Sequence, residues 1–248
     1  MAFAKHIGLM NCFTYGLLNP RKALNMHKQL ADVLDAARPD EPKNKVVGDG
    51  NGNAMSNIMC DYQAGISPSE IVCQELYNTI ESLDKQGYFS STKERDIIQK
   101  TIEIIFDPLT FSRTIFPIHK GAKLLKACAH KKNSQGQHCH EMMILSNWDL
   151  ESFEILKDLP QNKVVFQHFK PENIVISGAF GSHDGLKPHK TVFEYVINLK
   201  QVKPSDIVFI DDQEVNIAAA RACGIKAVHL KDGDYHQLKK DLKKLGVL

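Results

Sequence analysis

Apolar residues recur along this chain in two rhythms. Between residues 20 and 116 they fall at helical spacing. Leu24, His27, Leu30 and Leu34 mark a first helix. Asn19-Pro20 starts it, with Asn as N-cap and Pro at the first helical position, and Pro39 and Pro42 end it. Val72, Leu76, Ile80 and Leu83 stripe a second helix behind the capping box Ser67-Pro68-Ser69-Glu70. Ile97, Ile98, Thr101, Ile102 and Ile105 stripe a third behind Ser91-Thr92-Lys93-Glu94, until Asp107-Pro108 stops the run. Residues 48–53, Gly-Asp-Gly-Asn-Gly-Asn, read as a flexible turn. The segment 20–116 is therefore expected to be mostly helical, with no central strand.

Outside that segment the rhythm changes to short continuous apolar runs. Ala4 to Phe13, ending in Tyr15-Gly16, reads as a strand and turn. After Pro117 come a helical stretch, Ala122 to Ala129, and then strands at Met142–Leu145, Asn173–Ile176, Ile207–Ile210 and Lys226–His229. Pro188 is expected to open a helix carrying Val192, Phe193, Val196 and Ile197, and Gly224 suits the end of the alanine-rich helix before it. Continuous apolar strands alternating with helices predict an α/β fold, a parallel sheet covered on both faces. Such sheets place ligands at the carboxyl ends of their strands.

Composition narrows the classes. With 248 residues, 43% of them hydrophobic, the chain can bury one core and a modest second module. A formal charge of +2 with no dominating basic stripe argues against a nucleic-acid partner. The start lacks a signal-peptide run, and no stretch reaches the ~18 apolar residues of a membrane helix. Six cysteines, none in CxxC spacing, are expected to be free thiols in a reducing cytoplasm.

Polar residues gather where the strands end. Ile144-Leu145-Ser146-Asn147-Trp148-Asp149 puts a hydroxyl and an amide after a buried run. They can donate hydrogen bonds to a phosphoryl oxygen, or the segment can simply cap the next helix. Gly185-Leu186-Lys187-Pro188-His189-Lys190 puts a lysine at a helix mouth, where the macrodipole disfavours it unless an anion joins it; a solvated surface lysine is the plainer reading. Ile207-Val208-Phe209-Ile210-Asp211-Asp212-Gln213 ends a buried strand on two carboxylates. Those need a cation or hydrogen bonds, and magnesium or helix capping would serve.

In order and spacing these three segments resemble the second, third and fourth motifs of the haloacid dehalogenase (HAD) superfamily. The resemblance covers the whole chain and is specific over the last 110 or so residues. It implies a Rossmann-like core, residues 1–19 and 117–248, with residues 20–116 inserted as a helical cap. It also implies that Ser146, Asn147 and Lys187 bind the transferred phosphoryl group and that Asp211 and Asp212 hold magnesium.

The first motif departs from the family, whose strand leads into Asp-x-Asp-x-Thr/Val with a nucleophile and then a general acid/base. Setting Thr14 on the Thr puts Met10 at the nucleophile and Cys12 at the acid/base; shifting by one offers Asn11 and Phe13. No register supplies a carboxylate. The expectation is a catalytically impaired phosphohydrolase fold with a pocket for a phosphorylated small molecule or anion, and weak magnesium binding. Two alternatives stay open: an active hydrolase with a displaced nucleophile, Asp49 or Cys12, and a regulatory module recruiting a protein through the cap. His138-Cys139-His140 could draw a soft metal but reads as surface loop. His183-Asp184, Asp61 and Tyr62 are further candidates to face the site.

Overall fold

The computed structural model describes residues 20–39, 44–48 and 54–248. The expected first strand, with Met10, Asn11, Cys12, Phe13 and Thr14, lies outside the described residues, as does Asp49.

The described part of the segment after residue 20 holds five helices: α1 (Pro20–Ala36), α2 (Asn57–Gln63), α3 (Ser69–Lys85), α4 (Thr92–Phe106) and α5 (Pro108–Arg113); α1, α3 and α4 are those the periodicity predicts, and α2 and α5 are additional. The stripes of α3 and α4 meet in one cluster, Val72, Leu76 and Ile80 with Ile98 and Ile102, joined by Ile58 and Phe106; from α1 the buried member is Val33, with Leu30 and Leu34 packed against it, and the Leu24 and His27 side chains lie outside the described residues. Three local expectations are corrected. A short antiparallel pair forms, β1 (Asn44–Gly48) with β2 (Ala54–Met55), where Val46-Val47 favours extended backbone. The box at Ser67 does not form, since α3 starts at Ser69 and Ser67 Oγ accepts from Arg38 Nη2 at 3.3 Å. Asp107-Pro108 ends α4 and also starts α5: Asp107 accepts from the Thr110 N–H at 2.6 Å, with Pro108 at the first position. At Ser91 the cap forms, its hydroxyl accepting from the Glu94 N–H at 3.3 Å, while the Glu94 carboxylate reaches back to the Ser90 N–H at 2.8 Å.

The rest alternates strand and helix. In order they are α6 (His119–Ala129), β3 (Ile144–Ser146), α7 (Leu150–Asp158), α8 (Lys163–Phe166), β4 (Ile174–Ile176), α9 (Lys190–Lys200), β5 (Val208–Asp211), α10 (Glu214–Ala222), β6 (Lys226–His229) and α11 (Tyr235–Lys244). β3 pairs in parallel with β4, and β5 with β6, Asp211 standing opposite His229. Alternate residues of β5 and β6 face opposite layers. Phe209 and Ala227 pack with Val192, Phe193, Ala220 and Ile225 of the α9–α10 side. Val208, Ile210, Val228 and Leu230 pack with Leu124, Cys128, Leu238 and Leu242 of the α6–α11 side. Helices therefore cover both faces of this pair, and Leu145 of β3 joins the α9–α10 cluster.

α9 begins at Lys190, not at Pro188, because a turn intervenes in which the His189 N–H donates to the Leu186 carbonyl at 2.9 Å. Gly224, at φ +81°, follows α10 in the left-handed conformation expected of it. Cys60, Cys73, Cys128, Cys139 and Cys223 are free thiols. No helix among the described residues is long and apolar enough to cross a membrane.

Candidate functional site

Ser146 is the last residue of β3 and is buried. Asn147 follows and turns its amide onto the backbone of Lys187: Nδ2 donates to the Lys187 carbonyl at 2.8 Å, and Oδ1 accepts from its N–H at 2.7 Å. Asp149 then caps α7, accepting from the Ser152 N–H at 2.7 Å and from the Ser152 hydroxyl. So the segment does two jobs. Asn147 ties the β3 end to the lysine loop, and the helix-capping role falls to Asp149. Asp149 is buried, and burial pushes its pKa up despite those hydrogen bonds.

Lys187 is 5% exposed. Its ammonium sits 2.6 Å from Asp211 Oδ2 and 5.5 Å from the centre of the Phe209 ring. The other Asp211 oxygen accepts from the Gln213 N–H at 2.8 Å and from Asn216 Nδ2 at 3.0 Å. Burial works to raise the Asp211 pKa, but the Lys187 charge and these donors outweigh it and hold it below the usual aspartate value. The first two polar segments and the first carboxylate of the third thus meet at the carboxyl ends of β3 and β5.

Asp212 is half-buried beside them. Its carbonyl accepts from His229 Nε2 at 3.1 Å, and His229 Nδ1 lies 2.6 Å from Glu214 Oε2. The sequence reading missed this pair. The available signal was position: His229 ends its strand as Asp211 ends the neighbouring one.

The helical segment closes on the same loops. His183 Nε2 lies 2.5 Å from Asp61 Oδ1, and the other Asp61 oxygen takes Arg38. Arg38 also reaches Glu75 at 3.0 Å. Leu186 packs against Cys60 and Ala64 of the α2 stretch, where burial and the Asp61 charge push the Cys60 thiol up to about 12. Ser177 Oγ donates to the Gln63 carbonyl at 2.6 Å and accepts from the Trp148 N–H at 2.9 Å. Asp61 and His183, separate candidates in sequence, thus bind each other. Tyr62 packs its ring into the helical cluster, 5.0 Å from Phe106, while its buried hydroxyl faces the Asp149 carboxylate and the Ser152 hydroxyl. His138 and His140 point at different carbonyls, Ala129 and Val247, each at 2.9 Å, and do not converge.

Magnesium fits the described residues poorly. Asp211 is committed to an ammonium and two N–H donors, so a metal ion there would face the Lys187 charge at close range. Among the described residues no three His, Cys, Asp or Glu side chains are grouped to hold a metal ion. No chemical step is derived through magnesium.

Residues 163–230 match the family model described as haloacid dehalogenase-like hydrolase. Over that stretch the chain is similar to haloacid dehalogenase-like hydrolases. The matched stretch begins at α8 and ends just past β6. It contains Lys187, Asp211 and Asp212, while Ser146 and Asn147 precede it. Among the described residues the parallel strands form two separate pairs, β3–β4 and β5–β6, flanked by helices, an α/β arrangement in place of the single sheet expected. A solved structure of L-2-haloacid dehalogenase from Xanthobacter autotrophicus, with chloropropionic acid covalently bound, aligns with a TM-score of 0.44 and 14% identity. That alignment covers 88% of this chain and 79% of the dehalogenase.

Proposed function

We propose that this chain is a HAD-type phosphohydrolase fold that binds a phosphorylated small molecule or comparable anion and has lost efficient covalent catalysis. In this reading residues 1–19 and 117–248 form the core and residues 20–116 the cap. The observation that carries it is the buried Lys187 ammonium, gripped by Asp211 and aimed by Asn147 at the strand ends. An incoming phosphate would share that ammonium with Asp211, and the Ser146 hydroxyl would donate to it from the neighbouring strand end. Asp211 holds the Lys187 side chain extended at the strand ends. Asp212, anchored through its carbonyl by His229, borders the same space.

What the first strand segment lacks in this reading is the carboxylate nucleophile. Residues 1–19 contain neither Asp nor Glu. A thioether at Met10 and an amide at Asn11 are poor nucleophiles toward phosphorus, and losing the covalent nucleophile typically removes several orders of magnitude of rate. A displaced nucleophile at Asp49 gains no support from the strand before it: β1 pairs antiparallel with β2, apart from the parallel pairs.

Hydrolysis of p-nitrophenyl phosphate with magnesium, in the parent and in Asp212→Asn, tests the catalytic half. The expected result is no magnesium-dependent turnover above the variant. Clear magnesium-dependent turnover that the substitution abolishes would overturn it. Calorimetric titration with inorganic phosphate tests the binding half, and Lys187→Gln is expected to abolish the heat seen with the parent.

A further inference from the structure

Lysines that look scattered in the sequence are gathered by the fold. α6 and α11 lie side by side over the same face of β5 and β6, burying Leu124 and Cys128 from one helix and Leu238 and Leu242 from the other. They run parallel. The Tyr235 ring, at the start of α11, lies against Gly121 at the start of α6. Beyond their far ends, Lys131 Nζ donates to the Gly246 carbonyl at 2.6 Å. The outer sides of both helices therefore form one surface about 16 Å long. Lys120, Lys123 and Lys126 are exposed along α6, and Lys239, Lys240 and Lys243 along α11.

The charge balance of this surface differs from that of the molecule. Residues 119–132 and 231–248 together hold ten lysines and three aspartates, a charge of +7. The whole chain carries +2, so the remainder carries −5. Of the three aspartates, Asp241 lies 3.4 Å from Lys244, and Asp234 caps α11. The reading that no basic stripe dominates holds along the sequence and fails on the surface.

We propose that the α6–α11 face seats the protein on an anionic lipid surface. The charges are ammonium groups on long exposed stems, which suit a diffuse negative potential. These two segments contain no arginine to fork onto phosphates and no Phe or Trp, and the ring of their one tyrosine, Tyr235, is half-buried against Gly121; nucleic-acid surfaces combine basic charge with forked arginines and open aromatic faces. This inference is independent of the site at Lys187.

The test is co-sedimentation of the full chain with vesicles of phosphatidylcholine plus phosphatidylserine, against phosphatidylcholine alone. Binding is expected only where phosphatidylserine is present, and it should weaken steeply as salt rises. The triple variant K239Q/K240Q/K243Q should partition on the order of a hundredfold less, given the usual contribution of each lysine near such a surface. Far-UV circular dichroism and the melting temperature of that variant should match the parent. The control K85Q/K163Q/K203Q removes three exposed lysines elsewhere and should bind like the parent. Equal binding to neutral vesicles, or equal loss in the control, overturns the proposal. So does tighter retention of duplex DNA than of charged vesicles at the same salt, which would assign the face to nucleic acid instead.

Discussion

Lys187 and Asp211 are each nearly sealed from water, so neither charge can be removed alone without stranding the other. Lys187→Met should destabilise the fold by about 3–5 kcal/mol in urea unfolding at neutral pH, and adding Asp211→Leu should recover most of that loss. The pair also sets a pH dependence. Because the folded Asp211 pKa lies below its unfolded value, the pair's stability is full above the ordinary aspartate range. It is lost as pH falls through the lowered value, and Lys187→Met should flatten that acid limb. Asp149 works in the opposite sense. Its folded pKa is raised, so its contribution is full below the ordinary range and is lost as pH rises through the raised value. Asp149→Asn keeps an acceptor for the Ser152 N–H and should remove this second dependence in the same unfolding series. Lysine and aspartate could each be picked out from sequence as strand-end or helix-mouth charges. Their pairing could not, since it depends on how the 183–189 turn folds back and on the grip of Asn147.

The join between α2 and the loops at 177–187 depends on backbone meeting backbone. Gly65 has φ +72°, and a Cβ there would lie 2.1 Å from the Gly178 carbonyl oxygen. Gly65→Ala combines a disfavoured conformation with that overlap and should cost more than about 1 kcal/mol. Cys60, wholly buried at this join, reports its opening: alkylation mapped by mass spectrometry should quicken at Cys60 in Gly65→Ala and in His183→Ala, but not at Cys128 beneath β6. An unchanged Cys60 rate in both variants would mean that Asp61–His183 and Gly65 do not hold the two parts together. Periodicity revealed the long helices because each has a full apolar stripe. It did not reveal α5, whose six residues are too few for a stripe, or the β1–β2 pair, whose second strand is only two residues long. Ser67 fits the N-cap pattern, but the demands of Arg38 took precedence over its helix.

In the whole molecule, the alternating strands and helices already carried the α/β architecture, because buried parallel strands must be apolar on both sides. The surface stayed hidden for the complementary reason. A face is assembled from distant segments, and α6 and α11 are separated by about a hundred residues of chain. Gathering their lysines has a practical result at the bench. A protein of net charge +2 would ordinarily leave a cation-exchange column early. This one should be held by a single side and elute late, and K239Q/K240Q/K243Q should advance its elution far more than K85Q/K163Q/K203Q, although both remove the same charge. Net charge, and the isoelectric point drawn from it, therefore misstates how this molecule meets a charged matrix.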